Sequence, residues 1–147
     1  MTDYPNASAI RRLAALVYDS FLVVAIWMLS TTLLVAFVAD GEAIGGWPFQ
    51  LLLYTELFGF YYAFWRMRGQ TLGMQVWKIR TVKDTGELMT SWQCIFRFLA
   101  ATISLLPLGL GFLWILIGRE RLTLYDLATD TRVVYLGDKP YASERKT

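Results

Sequence analysis

Four ionisable residues lie in or at long apolar runs, Arg12, Asp19, Glu56 and Arg97, and Asp126 lies just beyond the last of them. A charged side chain inside hydrocarbon costs about 3 kcal/mol on insertion scales, so each needs a partner, and intramembrane charges recur on ion paths and proton relays. Asp19 follows Arg12 by two helical turns on the same helical face, which makes Arg12 its nearest candidate partner in the sequence. Two chemistries fit this set. One is a cation or proton path through the membrane. The other is a structural charge network that locks Arg12 and its helix to Asp126 or to the segment around Pro107. The structural reading is favoured for Arg12 and Asp19, because a compensated set is how a small bundle hides charge. Glu56 fits either role: it could carry a proton, or stay protonated and hydrogen-bond Thr31 or Thr32.

Other chemistry is poorly supplied. The chain has no histidine, which removes the usual neutral-pH acid/base and the commonest metal ligand. Its single cysteine, Cys94, cannot form an internal disulfide or a cysteine metal cluster and reads as a buried apolar residue. Gly69-Gln70-Thr71-Leu72-Gly73 suggests a phosphate cradle, but no Gly-Lys-Ser/Thr follows, and a turn seated on the headgroups is the better reading. We therefore expect no enzyme activity, no metal and no cofactor. A net charge of +2 is too small to suggest nucleic acid as a partner.

The elements that must position these residues follow from hydropathy. With 56% hydrophobic and 16% aromatic residues in 147, the chain reads as a single integral membrane domain. Leu13 to Ala39 is almost wholly apolar, about 40 Å as a helix against a hydrocarbon core of about 30 Å, and predicts a first helix over about 8–39 with Ser8 as its cap. It is too long for a signal-peptide core and reads as a retained crossing. Pro48 to Trp65 predicts a second crossing, about 48–65, opening on a first-turn proline and carrying a Gly59-xxx-Ala63 pair where another helix could approach. The loop between them has acids and no base, whereas Arg66, Arg68, Lys78, Arg80 and Lys83 follow the second run. The positive-inside rule then places the N-terminus and residues 66–93 in the cytoplasm, in a multi-pass protein of the cell (inner) membrane.

Residues 75–82 alternate, Val76, Lys78, Arg80 and Val82 against Trp77, Ile79 and Thr81, and lead into an Asp84–Gly86 turn. This predicts a cytoplasmic β-element over about 75–90, lying against anionic headgroups and pairing with 131–136. Ser91 reads as the cap of the next helix. The third apolar region, within about 92–117, is broken at Pro107–Gly111. A fold-back hairpin there is preferred over a single kinked crossing, since it keeps Arg97 and Arg119 on one side and leaves the basic tail unexported. The fold class is thus an all-α membrane protein, a small transmembrane helix bundle with two full crossings, a broken third segment and a short β-element. Such a bundle would oligomerise to enclose a path, and its cytoplasmic face could recruit a protein partner.

The charged set sits in recognisable blocks. Arg12 with Asp19, and Asp126 within Leu122-Thr-Leu-Tyr-Asp-Leu-Ala-Thr-Asp-Thr-Arg-Val-Val134, resemble the Arg-Asp-Asp pattern of the RDD family of small bacterial membrane proteins. Gly69-Gln70-Thr71-Leu72-Gly73 and the basic strand after it are similar to that family's Gly-Gln-Thr-x-Gly block, and Arg97 matches an arginine the family often places at the start of its next helix. The likeness covers roughly residues 7–136. It departs at Tyr125, where a histidine often precedes the aspartate, and at Thr129-Asp130-Thr131, in place of Ala-Gly-Thr. The resemblance implies architecture more strongly than activity; for activity it implies transport, against the alternative of a non-catalytic membrane scaffold or assembly factor.

Overall fold

A computed structural model describes residues 4–39, 42–105 and 122–137. In chain order these form α1 (Ala9–Phe37), α2 (Trp47–Met67), α3 (Leu72–Val76), β1 (Ile79–Lys83), α4 (Ser91–Leu105), α5 (Leu124–Ala128) and β2 (Thr131–Tyr135). The protein is mostly helical with a small two-stranded sheet.

Helix α1 is inverted relative to a helix of a water-soluble protein. Its buried residues are Arg12, Ala15, Asp19 and Val23, one stripe at three- and four-residue spacing, while Phe21 is 73% exposed and Met28 67%. Charge faces the protein and apolar side chains face outward, the arrangement that lipid as solvent favours. A window of α1 reaches a mean hydropathy of 2.2, and α1 is the one helix among the described residues long and apolar enough to cross a membrane by length and composition. Ser8 precedes α1 in extended conformation, but its side chain makes no capping hydrogen bond.

Helix α2 opens with Pro48 in its first turn, where the missing N–H has no intrahelical partner in any case. It packs on α4 through aromatic rings gathered around Phe98, with Phe58 at 5.2 Å and Tyr54 at 5.3 Å between centroids. It also ties to α1, where Trp27 Nε1 donates to the Leu53 carbonyl at 3.0 Å. Gly59 and Ala63 are both exposed, so no described helix of this chain enters the notch they leave. Helix α4 is capped one residue earlier than the sequence implies. The Thr90 hydroxyl accepts the Gln93 N–H at 3.3 Å while Gln93 Oε1 accepts the Thr90 N–H at 3.1 Å, a reciprocal capping box that leaves Ser91 as the first helical residue. Its inward face carries Cys94, Arg97 and Phe98 at i, i+3 and i+4.

The sheet pairs β1 with β2 antiparallel, Ile79 opposite Tyr135 and Lys83 opposite Thr131. The N-terminal segment runs along β2, with the Ala7 N–H on the Val133 carbonyl at 2.8 Å and the Tyr135 N–H on the Pro5 carbonyl at 2.8 Å. Pairing of the basic strand with 131–136 matches the sequence pattern; the hairpin over 75–90 does not form. Its turn closes, the Lys83 N–H meeting the Glu87 carbonyl at 2.9 Å, but residues 88–90 do not return as a strand. Met89 is instead sunk into the core beside Ile79 and Cys94, and β2 pairs with β1 in that strand's place. Gln75 and Val76 belong to α3, because the Thr71 side chain accepts the Met74 N–H and starts a helical turn there. The Pro107–Gly111 break, and with it the choice between hairpin and single crossing, lies outside the described residues.

Candidate functional site

Helix α5 is one and a half turns long and exists to present Asp126. Thr123 caps it: the Thr123 hydroxyl accepts the Asp126 N–H at 3.3 Å and Asp126 Oδ2 accepts the Thr123 N–H at 3.0 Å, which fixes the carboxylate. The same Oδ2 meets Arg12 Nη1 from α1, and Oδ1 meets Arg97 Nη2 from α4 at 2.6 Å. The three side chains are 0%, 5% and 3% exposed respectively, so the network is taken wholly out of solvent.

Further donors of the arginines go to the sheet and the segment beside it. Arg12 Nη2 reaches the Val133 carbonyl and its Nε the Ala7 carbonyl, while Arg97 Nη1 donates to the Thr131 hydroxyl, which shares a 2.8 Å hydrogen bond with Thr129. The Arg97 guanidinium also lies over the rings of Tyr125 and Trp65, at 5.0 and 5.5 Å from their centroids. One carboxylate thus joins α1, α4, α5 and β2. Burial works against the charge on Asp126, but Arg97, Arg12 and the Thr123 N–H outweigh it and hold the carboxyl below its usual range.

That shift has a pH consequence. A carboxyl whose folded value is depressed contributes stability above its unfolded value, about 3.9 for aspartate, and loses it as pH falls through the lower folded value. We expect this contribution to be constant above about pH 5 and to be lost progressively as pH falls below that. The check is unfolding in mixed micelles as a function of pH, where Asp126→Asn should flatten the acid limb.

Asp19 is elsewhere. Its seven-residue offset from Arg12 puts it on the same stripe but about 10 Å along the axis, and its carboxylate is bound elsewhere. Asp19 Oδ2 takes the Thr71 hydroxyl and Oδ1 the Gly73 N–H at 2.8 Å, both from the start of α3. The expected Arg12–Asp19 pair is therefore replaced by two separate attachments of α1, to Asp126 and to α3.

This explains the Gly69–Gly73 block, which faces the interior instead of the headgroups. Gly69 has φ +67, and a Cβ there would meet the Thr81 carbonyl at 2.6 Å. Gln70 Nε2 donates to the Ile79 carbonyl at 2.9 Å, Thr71 both caps α3 and donates to Asp19, and Gly73 lies directly against α1. Glu56 stands apart: Ser30, and neither threonine, donates to its carboxylate at 3.0 Å, and the structure does not bring it into the buried cluster.

Sequence reasoning missed Trp65, Thr123 and Thr131 as parts of the site. Thr123-x-x-Asp126 was findable as a capping box; nothing in the sequence marks the other two. The two departures from the family pattern are also accounted for. Tyr125 supplies a ring under Arg97, and Asp130 occupies a left-handed conformation, φ +50, where glycine is the easier residue.

Between α1, α2 and α4 lies a cavity of about 390 Å³. Arg12, Asp19 and Arg97 stand on its wall with Trp65 and Tyr61, and the rest is largely apolar, with Val23, Leu57 and Phe98 prominent.

Fold and site together define a helical membrane protein closed on its buried side by an arginine–aspartate–arginine cluster. The chain belongs to the RDD family, whose pattern matches residues 6–130. Neither a curated protein nor a solved structure matches it significantly.

Proposed function

We propose that this chain is a transport module, or the subunit of a transporter, in which a proton or cation coupling step uses the cavity between α1, α2 and α4. The observation that carries this reading is the placement of Asp19, on the apolar helix α1, at the wall of that cavity. In this reading α2 is a second crossing, the N-terminus and the Lys78/Arg80/Lys83 strand face the cytoplasm against anionic headgroups, and the membrane is a bacterial inner membrane. The exposed Gly59–Ala63 notch of α2 suits a second copy of the chain. Glu56, within reach of Ser30, is the second acid along the path. No catalysis is involved.

The test is proton flux driven by sodium, potassium or lithium gradients in sealed proteoliposomes. Asp19→Asn suits it because the carboxamide oxygen can still accept the Gly73 N–H while its NH2 donates to Thr71 Oγ1, so charge is removed with the clasp kept. We expect cation-dependent flux from the wild type and at least a tenfold loss in Asp19→Asn at an unchanged oligomeric profile. Absence of flux from the wild type would sink the reading.

A second reading, a non-catalytic membrane scaffold with a protein partner at its cytoplasmic face, is favoured by one observation. Asp19 and Asp126 have both carboxylate oxygens engaged. It expects Asp19 variants to alter assembly and to have no ion phenotype.

A further inference from the structure

The cavity carries an unbalanced feature that transport of a bare cation does not use. Among the described residues, Arg97 Nε and Trp65 Nε1 are buried N–H donors with no acceptor. Their residues are only 3% and 8% exposed, and both line the cavity. They also lie together, the Arg97 guanidinium 5.5 Å from the Trp65 ring centre. Leaving such donors unmet is costly, more so when the group is charged, so an acceptor is the expected occupant. The nearby carboxylates are already committed, Asp126 to Arg12 and Arg97 and Asp19, on the wall, to Thr71 and Gly73.

The remaining wall is apolar, and it does not end inside the protein. Leu16 and Val24 line the cavity and are also exposed on the outward face of α1, so the wall continues onto the surface that lipid would cover. A volume of about 390 Å³ lies at the lower end of the roughly 300–1,000 Å³ span of small-molecule sites, suited to one chain and too small for a two-chain phospholipid.

We infer that the cavity binds a single-chain amphipathic carboxylate, its head accepting from Arg97 Nε and Trp65 Nε1 and its tail lying along Val23, Leu57 and Phe98 toward the bilayer. This rests on the transport reading above, in which the cavity serves the coupling step, and it names the class of solute that would be moved.

The experiment titrates the full chain, in nanodiscs of zwitterionic phosphatidylcholine, with myristate labelled with ¹³C at the carboxyl carbon. The expected result is a saturable bound carboxyl resonance, one per chain, absent from empty discs and displaced by neither acetate nor decanol, which each lack half of the recognised chemistry. Trp65→Phe keeps the ring and removes one donor, and should weaken binding about tenfold. Ala101→Trp fills the cavity away from the charged cluster and should abolish it.

No resolved bound resonance, or one unchanged in both variants, overturns the inference: the donors then hold water, or the acid merely partitions into lipid. Flux measured on the same preparation separates the two claims. Asp19-dependent flux without myristate binding leaves transport standing and removes this solute class. Variant-sensitive binding without flux keeps the site and removes transport.

Discussion

Asp126→Ala should destabilise the protein by about 3–5 kcal/mol, the largest effect expected of any single substitution here. Asp126 is fully buried between two guanidiniums, and removing it leaves Arg12 and Arg97 as uncompensated charges out of solvent. The capping box of α5 fails with it, because Asp126 Oδ2 also holds the Thr123 N–H. Four elements lose their common fastening at once. The measurement is the midpoint of unfolding in mixed micelles with increasing dodecyl sulfate, together with the fraction recovered as a monodisperse species.

A companion variant isolates the cause. Arg12→Met, Asp126→Leu and Arg97→Met together remove the network without stranding a charge, and replacing a buried ionic set by apolar residues is often neutral or better. The triple variant should therefore be more stable than Asp126→Ala alone. If it is no better, the loss comes from the shape of α5, and electrostatics are not the reason.

Gly73→Ala is the second large effect, about 1–3 kcal/mol from overpacking, with α3 forced away from α1. An added Cβ would lie 2.9 Å from Asp19 Oδ1 and closer still to the Ala15 carbonyl, which is backbone and has no room to withdraw. The helix start must shift, and the Gly73 N–H leaves the Asp19 carboxylate that it donates to at 2.8 Å. Hydrogen exchange is the direct readout: the Gly73 and Met74 amides should lose protection, while the amides of α4 keep theirs. Equal loss throughout would mean that this contact does not hold α3 separately.

The membrane setting was legible in the sequence because it rests on local quantities. Hydropathy, run length and first-turn proline identify α1 and α2 within two residues at each end, and an apolar run carrying Arg12 and Asp19 already says that these charges face inward. The motif blocks were visible too, although as letters: Gly69-Gln70-Thr71-Leu72-Gly73 could be read as a turn without any sign that it clasps a helix more than fifty residues earlier. Periodicity misled at 75–82, where alternation ran through two residues that the Thr71 cap commits to α3.

What the sequence determined by itself, then, is which side chains are too costly to leave in lipid and which segments are long enough to lie there; both depend on composition over one or two helical turns. Only the tertiary structure decided who pairs with whom. Arg12 and Asp19 stand about 10 Å apart along one stripe of α1, and each is taken by a partner from a distant segment, Asp126 for the one and α3 for the other. The partner of Arg12 comes from 114 residues away, through a capped turn that holds a carboxylate between two arginines. A charge pair needs contact within a few ångströms, and contact between distant segments is a property of packing that no local pattern records.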